Sequence, residues 1–246
     1  MSHIHVLSVP RRLAQPGLTD FPYASFGNLQ LLLRADRGVY TDAGVTPAAD
    51  GQTVQQWNDF SGAQRNFSQA TAGLRPTFRL NPTGFNGRSA IEFDTTDDQL
   101  TGPGTLDTYI AAGAVTVLVA MRVLTTALSR FAFKDSGSFF ETGWGATQTA
   151  LTRNWDGTQD AASVTIADNA TFILEHWHTG GNISVRANGG AANTVASGDT
   201  TNLTGTPWIG TNLNGSIAEL AVYDADIGDA NRTTWRNYAN AKYAAF

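Results

Sequence analysis

From residue 29 onward the chain is written in short apolar pieces, each stopped by a cluster of Gly, Asn, Asp, Ser or Thr. That alternation restricts the fold more than any other feature, because it is the spacing of strands in an antiparallel sandwich. The longest apolar run, residues 114–121, is far too short to span a bilayer, so no membrane insertion is expected. With 246 residues the chain fits one sandwich, since all-β folds commonly use that length without dividing.

Several pieces can be read singly. Residues 89–94 place Ile91 and Phe93 on one face and Glu92 and Asp94 on the other, the period of two of a half-buried strand. Residues 114–122 are nearly continuous in Val, Leu, Ala and Met, which suits a central strand covered on both faces. Residues 172–178 and 182–188 flank Thr179, Gly180 and Gly181 and predict a β-hairpin. Residues 216–224 predict a further strand. One helix is expected, at the end. No Gly or Pro interrupts residues 230–246, Asp226 or Asp229 can accept from first-turn N–H groups, and Trp235, Tyr238 and Ala241 or Lys242 recur at helical spacing. Its aromatic side should pack on the sandwich.

Residues 1–28 are different in kind. Pro10, Pro16 and Pro22 punctuate a segment without periodicity, which reads as an arm for anchoring to partner subunits, with the domain proper over residues 29–246. His3 and His5 break the opening apolar residues, and Arg11 and Arg12 follow, so no secretory signal is expected and synthesis in a cytoplasm is.

Composition removes several function classes. A charged fraction of 15% beside 41% hydrophobic residues argues against disorder. The chain has no Cys, which excludes disulfides, thiolate metal sites and a Cys nucleophile. Sixteen basic against 21 acidic residues give a net charge of -5, and no basic stripe exists that could track a phosphate backbone, so nucleic acid is not an expected partner.

Four segments together carry a resemblance. They are Trp57-Asn58-Asp59-Phe60-Ser61-Gly62; residues 86–94 (Asn86-Gly87-Arg88-Ser89-Ala90-Ile91-Glu92-Phe93-Asp94) with Asp97, Asp98 and Leu100; residues 214–224, opening Asn214-Gly215; and the closing helix with Lys242-Tyr243. In this order and spacing they resemble the concanavalin A-like, laminin-G-like jelly-roll domains, in the version found in bacteriophage virion proteins and bacterial surface proteins. The resemblance implies an all-β, two-sheet antiparallel jelly-roll sandwich with one C-terminal helix. Read physically, Trp57 supplies a large buried plate, Asp59, Ser61 and Gly62 close turns, and Asn86-Gly87 and Asn214-Gly215 are turn dipeptides leading into strands.

Chemistry-bearing groups are few. A glycoside hydrolase needs two carboxylates facing one sugar bond. Glu92 with Asp94 is the nearest match but lacks a second Glu in a Glu-x-Asp-x-x-Glu pattern, so the two read as solvent-face acids and no catalytic residue is assigned. No Gly-x-Ser-x-Gly elbow occurs. His176 and His178 flank Trp177 and share one strand face, where they could reach a metal; without a visible third ligand they read as polar decoration on the exposed side of the hairpin. Asp94, Asp97 and Asp98 form an acidic loop that either holds calcium or caps a turn, and the turn is favoured because a wider oxygen set is not identifiable. No metal or cofactor is therefore expected.

Sugar binding needs an exposed aromatic plate beside amides or carboxylates. Asn154, Trp155 and Asp156 have that composition, and Trp144 between glycines is a second plate. The chain is thus expected to be a non-enzymatic scaffold without a cofactor: a structural component of a phage-type virion, joined to other virion proteins through its arm and homo-oligomeric, able to display a surface for host glycans. A lectin-like module of a bacterial surface protein is the alternative.

Overall fold

The computed structural model describes residues 20–94, 96–110, 114–124, 130–136, 140–145, 149–155, 159–197 and 203–246, with backbone alone for residues 130, 131, 144, 145, 149–155 and 159. Its first strands are β1 (Leu29–Arg34), β2 (Val39–Tyr40), β3 (Gln56–Trp57), β4 (Phe67–Ser68), β5 (Thr77–Arg79), β6 (Ala90–Asp94), β7 (Leu100–Thr101) and β8 (Val115–Val123). There follow β9 (Arg130–Asp135), β10 (Phe140–Gly145), β11 (Thr149–Trp155), β12 (Gln159–Thr165) and β13 (Thr171–Thr179). The last elements are β14 (Asn182–Ala187), β15 (Asn193–Ala196), β16 (Pro207–Ile209), β17 (Asn214–Tyr223) and the helix α1 (Gly228–Tyr243).

The strands form two antiparallel sheets. One runs β15-β14-β13-β8-β17-β6-β5, and the other β12-β11-β10-β9-β16-β7-β4-β3-β2. In the first, β6 pairs with residues 214–217 of β17 and β1 with residues 219–223, so the two share one side of the longest strand. The apolar run read as central is β8, held between β13 and β17. Val115, Val117, Val119 and Met121 face the core between the sheets, while Leu118 and Ala120 face a second core under α1. Burial on both sides explains why this strand has no polar alternation.

Local chemistry accounts for the other predicted pieces. The hairpin of β13 and β14 closes on Gly180 and Gly181, at φ 59 and 75, the left-handed pair that a tight two-residue turn between twisted strands requires. In β6, Ile91 and Phe93 are buried while Glu92 is half-buried and Asp94 exposed, as their alternation predicts. Asp226 accepts the Gly228 N–H at 2.9 Å at the head of α1, and Trp235, Ala239 and Tyr243 are buried against the first sheet.

Two readings need correction. Asn214-Gly215 is not a turn: it opens β17, and a Cβ on Gly215 would stand 2.1 Å from the Arg122 carbonyl, so glycine there permits close strand approach. The turn lies earlier, where Gly210 and Asn212 have φ of 81 and 56. His176 and His178 are not exposed decoration but buried, because their strand face is the one the second sheet covers. One feature of β17 is not local: strict alternation would give Glu219 the face of Ile217 in the inter-sheet core. A bulge between Ile217 and Glu219 reverses the parity and turns the carboxylate toward α1.

Candidate functional site

Of the residues named for sugar binding, Trp144, Asn154 and Trp155 lie on the β10–β11 hairpin, where the backbone alone is described. Trp144 pairs with Ala150 near one end of the β10–β11 hairpin, and Trp155, opposite Gln159, ends β11. Five residues of extended strand, about 17 Å, separate Ala150 from Trp155. In the backbone register Trp144 belongs to the alternating set of Phe140 and Thr142, and Trp155 to the other set. Asn154 pairs with Phe140 and Asp160. Asp156 lies outside the described residues.

The histidine pair is a piece of core. His176 stacks on Phe140 with ring centres 4.9 Å apart, and its Nδ1 shares a hydrogen bond with the Thr142 hydroxyl. Burial, with the neighbouring His178, lowers its pKa to about 3, so the imidazole is neutral. Among the described residues the one set of three metal-capable groups is Asp94, Asp97 and Asp98. Asp98 accepts the Asp94 N–H at 3.1 Å and Asp94 accepts the Thr96 N–H at 3.0 Å, which is turn chemistry. Burial and then the Asp94 charge raise Asp98 to about 6.

A different surface combines an exposed ring with polar edges. Asp59, two residues after Trp57, ties down a loop: its carboxylate accepts the N–H groups of Leu32 (2.9 Å), Ser61 (2.8 Å) and Arg65 (3.0 Å) and the Ser61 hydroxyl (2.7 Å). The Phe60 N–H donates to the Leu32 carbonyl at 2.8 Å. This pinned loop presents Phe60, 41% exposed, at the surface. The ring is seated on Gly38, where a Cβ would come within 2.6 Å of it and φ is +69. The Arg37 guanidinium lies 5.6 Å from the ring centre. Asp20 accepts hydrogen bonds from Arg34 and Arg37, and the Arg37 bond foremost holds its carboxyl below the usual range.

Phe60 borders a cavity of about 280 Å³ that also includes Asp20, Phe21 and Ser61. Arg37 is shared with the next cavity, of about 460 Å³, floored by Val39, Ala48 and Phe78. Leu80, 36% exposed, is shared in turn with a third, of about 410 Å³, which Arg79, Glu92 and Asn81 make polar. Phe60 was missed as a site residue because its segment reads as shape-giving. The usable signal is that a Phe among Asp59, Ser61 and Gly62 has no strand face on which to be buried.

At the N-terminal edge of this surface, Phe21 and Tyr23, from the segment read as an arm, pack on the first sheet and on Tyr238 of α1.

The sequence matches no protein-family model and no curated protein. Solved structures do match in shape. A structure of botulinum neurotoxin type C, which depends on interaction with two ganglioside molecules to enter cells, superposes with a TM-score of 0.60 at 13% identity, over 87% of this chain and 52% of that one. The binding domain of botulinum neurotoxin DC in complex with SialylT gives 0.55 at 12% identity, over 87% and 52%. Domain 4 of AbnA, a GH43 extracellular arabinanase from Geobacillus stearothermophilus, in complex with arabinotriose, gives 0.55 at 13% identity, over 86% and 98%. The fold is a jelly-roll sandwich. The chain spans about half the length of the toxin chains, and nearly all of the arabinanase domain. Identities this low establish architecture and leave function to the residues.

Proposed function

We propose that this chain is a non-catalytic carbohydrate-binding module. The supporting observation is that the sandwich has the full extent of a domain in complex with arabinotriose, and presents beside it a pinned, exposed aromatic ring with charged and hydroxyl groups at its edge. A ring face covers sugar C–H surface while such groups take the hydroxyls. Among the described residues the chain's glutamates are engaged within the fold: Glu92 is held by Arg79 at 2.9 Å, the buried Glu219 by Lys242 at 2.9 Å, and the buried Glu175 lies against Arg236 and Arg186. The test is a glycan array with the purified chain, together with a reducing-end assay on every polysaccharide it retains. Retention without release of new ends is expected. Failure to retain any glycan, or cleavage of one, overturns the proposal.

Display on a phage-type virion, with residues 1–28 joining neighbouring subunits, is a second reading that the ordered motif set favours. Mass spectrometry of purified particles should then find the chain at stoichiometric abundance, and its absence from them would remove that reading while leaving the first intact.

A further inference from the structure

We infer that the three cavities joined by Arg37 and Leu80 form one groove that takes a linear, uncharged polysaccharide along its length, an inference that rests on the carbohydrate-binding reading and locates its site. The first argument is continuity. Neighbouring cavities have one lining residue in common, Arg37 for the first pair and Leu80 for the second. A terminal sugar needs one closed pocket, whereas a row of shallow depressions with common walls fits successive units of a chain.

The second argument is the distribution of apolar surface. Phe60 and Leu80 are two of the few large hydrophobic side chains left exposed among the described residues, and they stand at separate depressions of this row. Each offers a flat or rounded contact for a sugar C–H face, with groups that bond hydroxyls beside it: Ser61 and Asp20 near Phe60, Asn81 and Arg79 near Leu80.

The third argument is charge. Arg37 stands against Asp20 and Asp36, and Arg79 against Glu92 at 2.9 Å. Arg34, Arg37 and Arg79 already have carboxylates and Arg122 donates to the Asn169 carbonyl at 3.1 Å, so a polyanion would have to displace those partners and a polycation would meet the guanidinium groups. A neutral polyol can instead hydrogen-bond to both members of a pair without separating them. The Asp59 bonds and the Gly38 seat fix Phe60 before any ligand arrives, which lowers the ordering cost of binding.

The experiment is calorimetric titration of the whole chain with neutral linear oligosaccharides of two to six units, arabinotriose and its longer homologues first, with xylo-, manno- and cello-series alongside. Affinity should rise with length and then level off. Phe60→Ala should weaken binding of every length at least tenfold, Leu80→Ala should weaken only the longer chains, and Phe60→Tyr should restore the loss, showing that the loop has not unfolded. Binding that is unaltered in Phe60→Ala and Leu80→Ala overturns the groove while the carbohydrate-binding reading stands. Tighter binding of a uronate polymer than of any neutral chain overturns the assignment of ligand class. No binding of any neutral series overturns the groove, while retention on the glycan array decides the carbohydrate-binding reading by itself.

Discussion

Two carboxylates are buried under the same helix on the same sheet face, and their surroundings differ. Glu219, toward the C-terminal end of α1, accepts hydrogen bonds from Tyr23, from Tyr243 at 2.7 Å, from Trp235 Nε1 at 3.3 Å and from Lys242 at 2.9 Å. Glu175, toward the N-terminal end, faces guanidinium groups of Arg236 at 3.1 Å and Arg186 at 3.7 Å, yet neither of its oxygens accepts a well-directed hydrogen bond. Charge proximity and hydrogen-bond satisfaction are separate things, and a buried ion needs both. The consequences appear in the titrations. Burial raises Glu175 to about 7 in spite of Arg236, Arg186 and Arg232. At the other end, burial is the largest influence on Lys242 and opposes its charge, but Glu219, Tyr238 and Asp36 together outweigh it and hold the ammonium above its ordinary value.

The largest effect should therefore come at the satisfied end. Glu219→Ala leaves the Lys242 ammonium with Asp36 and the Tyr238 hydroxyl alone and strands the Tyr23 and Tyr243 hydroxyls in a dry seam, and should cost about 3 to 5 kcal/mol in urea unfolding. Pairing it with Lys242→Met in a double-mutant cycle measures how much of that cost comes from the cation that has lost one of its two carboxylates. A cost below about 1 kcal/mol would mean that water reaches the seam and that the two carboxylates are alike.

The second prediction concerns pH. A carboxyl whose folded pKa lies above its unfolded value binds its proton more tightly in the native state. Stability attached to Glu175 is thus fully present below about pH 4.5 and is lost as pH rises through about 7. The loss is on the order of 2 to 3 kcal/mol. Glu175→Gln should remove that slope, and should unfold at a higher temperature than the parent above pH 7. His176 works in the opposite sense. Its depressed pKa contributes stability above about pH 6.5 that is lost as pH falls toward about 3, so the acid limb should survive in Glu175→Gln and flatten in His176→Leu.

How legible these regions are in the sequence depends on the range of the interactions that make them. The hairpin at Gly180 and Gly181, the alternation in β6 and the doubly buried β8 follow from neighbours within a few residues, and each is visible as a local pattern. The burial of His176 depends on Phe140 and Thr142 from the other sheet, and no period within β13 reveals which face that sheet will cover. Glu219 is hidden more deeply still. Its place depends on one bulge, and a bulge leaves no trace in a strand otherwise rich in Ile, Leu and Val. The surface is harder again: Phe60 can be read as exposed from its turn, but the groove beside it is assembled from β1, β2, β5 and the loops between them.

The smallest prediction separates the two ends of the helix most finely. Asp226 has two tasks: it accepts the Gly228 N–H and it holds the Arg232 guanidinium. Asp226→Asn keeps an acceptor for the first and removes the charge from the second, so it should cost only about 1 kcal/mol as a weakened helix start. Arg232 lies 4.2 Å above Trp177, the residue two positions along from Glu175, and already acts to lower the Glu175 pKa. Released from Asp226, its charge is no longer shared and acts more fully on Glu175. The midpoint of the Glu175-linked slope should then move below about 7 while the Lys242 end is unchanged, since no partner of Glu219 touches Asp226. Stability measured against pH for the parent and for Asp226→Asn checks it directly. An unmoved midpoint would mean that Arg232 is spent on the Trp177 ring, and that desolvation alone sets the titration of the unsatisfied carboxylate.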